Sequence, residues 1–516
     1  MGRPPASGTH RPDEAGETAY EPPESLSGPV AKSIKWVAIS RVFREATRLA
    51  TAVLLARLLT PAEWGVAGMA LLVVAILTRL SDLALPAALV QRARITEADR
   101  STIFWTSLAL GILVTSFAVA ISGAVADFFG EAEVQSLMMV AALSFLIASF
   151  EKVPGALLTR DLAFRALELR QMAATLAGAV AAVVLALAGT GPWAIIGNSV
   201  ATALTSAVLL WTLTSWRPRA TFSWVSFRSL TGFGAAIFGS QLLAYVQHNI
   251  DKLLVGRYVG AAGLGSYSFA YNLMFTPVLN IAYPLQGVLF PAYAIIQEQH
   301  DRLNTAFLRA KRLAVATMAP LFLLMFVLAP DLLPTVFGPR WDDAIPVLQL
   351  LSVAGVAYSL ATQDWLLLLV RNKTRTLLGL TAIVTAAITV AAAIGLAWGI
   401  VGVAAAYAIA QWAVVVPETV VVSRSAAVPF RSMLGAMLAP LPFVAAATAA
   451  AYGARIALVE LDVPAWARMA IVSVVLVGLY VGLAYLGSKA LREEIRSAVA
   501  YARAWLPRRT AQATSV

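Results

Sequence analysis

The chain has 516 residues, 59% of them apolar and 13% charged, and its mean hydropathy is strongly positive, which excludes a soluble globular protein. It has no cysteine and three histidines, so disulfides and thiolate or imidazole metal clusters are not expected. The formal charge of +11 would fit a nucleic-acid binder, but the positive residues fall into short loops on one side of the hydrophobic segments, so no nucleic acid is expected.

Residues 1–32 are rich in Pro, Gly, Ser and Glu and lack an apolar run, which predicts a disordered N-terminal tail and no signal peptide. About fourteen hydrophobic segments follow, each long enough to cross a bilayer core of about 30 Å. They lie near 33–58, 64–90, 101–126, 134–157, 166–188, 192–215, 229–257, 264–293, 304–329, 344–370, 374–398, 400–423, 433–454 and 464–487. The end of the chain, 488–516, is a basic tail that opens as an amphipathic stretch suited to the headgroup layer. The class is therefore all-α and polytopic.

Arginine and lysine mark every second connection: Arg92, Arg94 and Arg100; Lys152, Arg160 and Arg165; Arg217, Arg219 and Arg228; Arg302, Arg309, Lys311 and Arg312; Arg371, Lys373 and Arg375; Arg424 and Arg431. The intervening loops are short or acidic, and the positive-inside rule puts the first set and both termini in the cytoplasm. Trp36, Trp64, Trp193, Trp216, Trp341, Trp398 and Trp466 near segment ends read as an aromatic belt. No loop is long enough to house a catalytic domain.

Charges inside spanning segments are costly and mark candidate sites. In the first segment Arg41, Arg44 and Arg48 share one helical face, with Glu45 one turn from Arg41. They either line a wet, anion-binding cavity or, for the outer two, snorkel to the headgroups. Arg79 and Asp82 either pair with each other or join a cavity. The seventh segment carries Gln247, His248, Asp251 and Lys252. Asp251 and Lys252 point about 100° apart, so each needs another partner. Tyr267, Tyr271, Asn272, Asn280, Tyr283 and Gln286 in the eighth either contact sugar or hydrogen-bond between helices. Glu168, Arg170 and Gln171 read as interfacial, Glu418 as structural, and Gln363 and Asp364 as deeper. Glu45, Asp251 and Asp364 are the ion-coupling candidates. Pro277, Pro284 and Pro291 predict a bent eighth helix.

Two stretches repeat at an offset of 200 positions: Leu54, Arg57, Ala62, Gly65 and Ala70 correspond to Leu254, Arg257, Ala262, Gly265 and Ala270. This register predicts a duplicated unit, and transporters built from repeats bind substrate at the repeat interface. No nucleotide loop, nucleophile elbow or dinucleotide fingerprint occurs, so neither a cofactor nor catalysis is expected.

The stretches beginning LLARLLTPAEWG and NIDKLLVGRYVG, with the pattern D-K-L-L-V-G-R-Y-x-G-x-x-x-L-G-x-Y-x-x-A-Y from Asp251 to Tyr271, resemble Wzx-type polysaccharide flippases of the multidrug/oligosaccharidyl-lipid/polysaccharide exporter superfamily, nearest the teichuronic and colanic acid exporter branch. That resemblance implies two six-helix lobes (33–215 and 229–423) and two trailing helices (433–487) in a bacterial inner membrane. It also implies alternating-access transfer of an undecaprenyl-diphosphate-linked oligosaccharide for surface or exopolysaccharide synthesis. The expected partners are that lipid-linked substrate, membrane lipids, a polysaccharide polymerase and a chain-length regulator. Substrate binding is expected at Arg41, Arg44, Arg48, Arg79, Lys252, Tyr271 and Asn272, with coupling to proton, sodium or membrane potential left open. The alternatives are a cation-coupled drug or metabolite exporter of the same superfamily and, in a different class, a membrane-embedded polymerase or glycosyltransferase.

Overall fold

Long runs of Ala, Leu and Val make helices, and helices dominate the computed structural model. It describes residues 18–19, 27–81, 89–90, 94–224, 227–228, 234–494 and 496. The chain divides into two compact units, Met1–Ser268 and Phe269–Val516, with the boundary inside one helix.

The first unit contains α1 (Ser27–Leu58), α2 (Pro61–Ser81), α3 (Glu97–Phe129), α4 (Glu133–Arg160), α5 (Phe164–Leu187), α6 (Trp193–Leu213), α7 (Gly234–Tyr258) and the start of α8 (Ala261–Pro277). Local chemistry sets the ends. Thr60 and Glu63 cap α2 reciprocally, Thr96 and Asp99 do the same for α3, and Gly130 closes α3 in the left-handed region at φ 75°. The seventh sequence segment belongs to this first unit, so the packing boundary lies beyond the 215/229 division read from the sequence. Helix α3 packs on α4, α5 on α6, and α1 along α5. Ile103, Phe104, Val153 and Leu157 form one core with Trp211 and Trp216 against it. Leu55, Leu59, Ala182 and Ala194 form another.

The second unit contains the rest of α8, a π-helical turn (Val278–Ala282), α9 (Tyr283–Ile295), α10 (His300–Leu332), α11 (Ala344–Ala361), α12 (Asp364–Val370), α13 (Thr374–Gly395), α14 (Gly399–Ala426), α15 (Phe430–Leu438), α16 (Leu441–Glu460) and α17 (Ala465–Gly487). The turn after Pro277 is the irregularity the proline spacing predicts, because proline removes a donor from the helical ladder. Tyr293, Leu303, Phe307 and Leu366 to Leu368 anchor one core. Val327 and Leu328 of α10 pack against Ala451, Val472 and Leu476 of α16 and α17. That attachment is reinforced where Arg455 and Arg468 both meet Asp331.

Among the described residues, eleven stretches are long and apolar enough to cross a membrane, against about fourteen segments read from the sequence. Helix α1, rich in charge, is not one of the eleven, and the 53-residue stretch Thr374–Ala426 contains both α13 and α14. Of the expected N-terminal tail, Thr18–Ala19 pairs with Arg94–Ile95, and the residues from Ser27 already belong to α1, whose first turn accommodates Pro29. The remainder lies outside the described residues. At the other end, Glu494 of the basic stretch is buried and meets Arg312 at 2.7 Å, which docks the start of that stretch on α10. Trp341 departs from the belt reading, being fully buried and stacked 4.0 Å from Phe269, whereas Trp398 and Trp466 are exposed.

The repeat register has a direct structural counterpart. A Cβ on Gly65 would lie 1.8 Å from the Ala261 carbonyl oxygen, and one on Gly265 would lie 1.8 Å from that of Pro61. Positions 61 and 65 thus meet 261 and 265 reciprocally, at a distance only glycine permits.

Candidate functional site: an ion-paired arginine cavity in the first unit

Helix α1 lies along α5, which brings its arginine face to Glu168, a carboxylate the sequence reading had placed at the interface. Arg44 Nη1 is 3.1 Å from Glu168 Oε2, and the Ser40 hydroxyl donates to the same oxygen. One turn on, Arg48 Nη1 meets Glu45 Oε1 at 3.0 Å, and both side chains are well exposed. Arg41 is exposed as well.

A second pair stands beside the first. Glu151 of α4 accepts from Arg170 of α5 at 3.3 Å and from the Ser206 hydroxyl of α6 at 2.8 Å, and Arg170 also donates to Ser206 and Gln171. These groups line two neighbouring cavities. One, of about 510 Å³, is walled by Arg44, Lys152 and Arg170 with Glu151 and Glu168. The other, of about 570 Å³, is walled by Arg48, Trp64, Asn198, Thr202 and Ser206, and the two share Glu151 and Gln171. With Glu45, four cations face three carboxylates. The wall is net positive, yet Arg44, Arg48 and Arg170 each already hold an anion.

The arrangement suits anion exchange. A guanidinium held by a monodentate carboxylate can pass to a phosphate oxygen without becoming an unpaired buried charge, and its planar fork matches phosphate geometry. The hydroxyl, amide and indole groups of the second cavity suit a sugar, which offers hydroxyls and an apolar face.

The remaining sequence candidates fall elsewhere. In α7 Asp251 is fully buried, accepting from the Tyr267 hydroxyl at 2.6 Å and from the Lys252 amide at 2.9 Å. Lys252 is buried and donates to Asn249 at 3.1 Å. The two side chains thus hydrogen-bond different side chains, Tyr267 and Asn249, as their angular spacing allows. Tyr271 is buried in the second unit beside Phe275 and Tyr407, and Asn272 is exposed. Gln286 is spent on the Thr362 carbonyl at 2.7 Å. Asp364 is fully buried against Lys311, which the sequence reading had counted among the loop cations. The Arg79 side chain and Asp82 lie outside the described residues. Glu151 and Ser206 were missed altogether. The available signal was a glutamate in the otherwise apolar run of α4, three residues before Pro154.

A family model described as polysaccharide biosynthesis protein matches residues 54–346. The chain is 28% identical over 354 residues to the lipopolysaccharide biosynthesis protein WzxC of Escherichia coli (strain K12), covering 68% of this chain and 71% of that protein. It is 26% identical over 325 residues to the succinoglycan biosynthesis transport protein ExoT of Rhizobium meliloti (strain 1021), covering 63% and 66%. To the teichuronic acid biosynthesis protein TuaB of Bacillus subtilis (strain 168) it is 25% identical over 353 residues, covering 68% and 73%. The fold is similar to that of lipid II flippase MurJ in an inward closed conformation, with TM-score 0.66 at 13% identity over 90% of this chain and all of that one. It is also similar to an inward-facing multidrug resistance MATE family transporter, with TM-score 0.58 at 16% identity over 77% and 98%.

Proposed function

We propose, from the premise that this chain belongs to the polysaccharide biosynthesis protein family, that it is a flippase carrying a lipid-linked oligosaccharide across the bacterial inner membrane. It does so without covalent change to the substrate. The observation that carries this reading is the net-positive, carboxylate-loaded arginine cavity of the first unit. The name of the relative ExoT, a succinoglycan biosynthesis transport protein, and the fold similarity to lipid II flippase MurJ support it.

In this reading the diphosphate of an undecaprenyl-diphosphate carrier enters from the cytoplasmic leaflet and displaces Glu168 from Arg44 and Glu151 from Arg170. Each guanidinium trades one anion for another, and the displaced Glu168 and Glu151 keep the Ser40 and Ser206 hydroxyls with Lys152 in the same wall, so the exchange is reversible, as release on the far side requires. The sugar takes the second cavity, against Trp64, Asn198 and Thr202, while the polyprenyl chain stays in lipid. Both termini are cytoplasmic, and a polymerase and a chain-length regulator act on the product.

The test is genetic and chemical. Deleting the gene should cause lipid-linked repeat units to accumulate, and the wild-type chain should clear them. Arg44→Ala should fail to clear them, with transport down tenfold or more, whereas Glu168→Gln should retain measurable clearance. Unchanged lipid-linked pools in the deletion strain would overturn the reading. Efflux of cationic drugs by the purified protein would replace it with the exporter alternative, which a net-positive wall disfavours.

A further inference from the structure

We propose that the stretch leaving α6, residues 214–224 with Phe227 and Arg228 beyond it, is a fixed anchor for anionic phospholipid headgroups. After α6 ends at Leu213 the chain runs without helix through Ser223, laid along the first turns of α3. The Arg219 amide donates to the Ser101 hydroxyl at 3.1 Å, and the Ser223 amide to the Thr102 hydroxyl at 2.9 Å. In return the Trp105 indole donates to the Arg219 carbonyl and the Trp216 indole to the Glu97 carboxylate, both at 2.8 Å. Trp211 and Trp216 pack edge-on against Phe104. Arg217 donates to the carbonyls of Thr214 and Trp216 and lies over the Trp211 ring. The strap is thus held by its backbone and by inward-facing groups, which leaves the rest of its side chains for display.

The depth of the strap follows from α3. That helix has 33 residues, and at about 1.5 Å each it is about 50 Å long, roughly 20 Å more than a hydrocarbon core of about 30 Å. The strap touches only Glu97 to Trp105, the first ~12 Å. Glu97, Asp99 and Arg100 lie in that part of the helix, so it is an end that projects beyond the core. The strap therefore lies at headgroup depth, on the side of the basic loops.

What the strap displays fits that layer. Phe222 is 54% and Trp224 65% exposed, and Trp224 stacks on Phe227 at 5.0 Å with Phe222 beside both, so the rings form one apolar face. Arg219 and Arg228, exposed as well, flank it in the chain. Residues 214–228 contain three arginines and no aspartate or glutamate. The acids at the start of α3 are spent, Glu97 on Trp216 and Arg100, and Asp99 on its own helix cap. Aromatic rings favour the boundary between water and lipid, where an apolar body and a polar edge are both satisfied. Arginines at that depth are drawn to an anionic leaflet, and the guanidinium fork fits phosphate oxygens. A membrane without net charge would take the rings and leave both guanidiniums without counter-charge, so the face selects anionic lipid. The anchor uses the first unit alone and does not involve the transported substrate.

The chain has no cysteine, so a single environment-sensitive dye on the full-length protein tests the anchor. The dye is placed on Trp224→Cys, or on Phe222→Cys so that the Trp224 ring stays, in vesicles of phosphatidylcholine alone or mixed with phosphatidylglycerol. With phosphatidylglycerol present, quenching by acrylamide supplied on both sides should weaken about twofold or more, and quenching by lipid-borne nitroxide should strengthen. High salt should reverse most of that difference, and Arg219→Gln combined with Arg228→Gln should abolish it. A dye on Ala132→Cys, in the turn between α3 and α4, should not respond to lipid charge. Equal acrylamide access in both kinds of vesicle, or a difference that survives the double arginine change, overturns the proposal. Protection found only in native membranes also overturns it, because the face would then belong to a protein. Should the double variant not fold, salt decides, and a difference that salt leaves unmoved overturns the proposal.

Discussion

At the scale of single residues, the arginines of this protein differ by what already holds them. Arg44 and Arg170 are largely enclosed and each has a carboxylate from another helix, while Arg48, in the wall of the second cavity, relies on its exposed neighbour Glu45. An exposed pair of the latter kind contributes at most about 1 kcal/mol, so Arg48 is open to a ligand at little cost. Asp331 is the opposite case, a buried carboxylate shared by Arg455 and Arg468. Removing one partner of a buried charge cluster costs about 3–5 kcal/mol, so Asp331→Ala should lower the melting temperature of the detergent-solubilised protein clearly, with Asp331→Asn intermediate. A thermal scan showing no change in Asp331→Ala would mean that these arginines do not depend on it.

The sequence reading found the α1 arginines because three long cations at positions i, i+3 and i+7 of an apolar helix are visible without a structure. It could not see their partners. Glu168 is 124 residues from Arg44, and Glu151 sits beside Lys152, which the topology rule had already claimed as a loop cation. Lys311 was hidden for the same reason: it follows Arg302 and Arg309, and only its complete burial in the fourth turn of α10 separates it from them. Rules based on local charge density assign residues in groups, whereas pairing is decided one side chain at a time by which helix lies opposite.

At the scale of elements, the reciprocal contact of α2 and α8 shows why the repeat kept its glycines. Gly65 and Gly265 correspond in register, and each admits the other helix's first-turn carbonyl where any side chain would overlap. Inserting even a methyl forces the backbones apart, at a cost of about 1–3 kcal/mol. Gly65→Ala and Gly265→Ala should each lower the melting temperature. Because both changes strain one contact, the double variant should lose less than the sum of the two. Strict additivity in the thermal shifts would argue that the helices do not share this contact in the membrane. The elements themselves were legible from hydropathy and prolines. The start of α1, the turn at Thr362–Gln363 and the early docking at Glu494 were not, because each depends on a neighbour rather than on local composition.

At the scale of the whole molecule, the orientation read from arginine and lysine is open to a clean experiment, since the chain contains no cysteine. Ala132, in the acidic turn between α3 and α4, and Ala220, in the basic connection after α6, are both exposed. In intact cells Ala132→Cys should react with a membrane-impermeant maleimide, and Ala220→Cys should react only after permeabilisation. The reverse pattern would invert the topology and move the arginine cavity's opening to the other leaflet. Assignment to a multi-pass exporter fold was within reach of the sequence because composition, loop charge and the 200-residue repeat agree. The division into packed units was not, since α7 joins the first unit through contacts that no linear pattern announces.

The burial of Lys311 also bears on how the protein is made. Its counter-ion Asp364 is 53 residues further along the chain. At about 5–20 residues per second, the ribosome delivers that partner roughly 3–10 s after the lysine. Lys311 is the twelfth of the 33 residues of α10, and a lone ammonium within an inserting helix costs up to about 2.5–3.5 kcal/mol. Helix α10 is therefore a poor candidate for release into lipid on its own, and its departure from the translocon should await α12, making these helices a single insertion event.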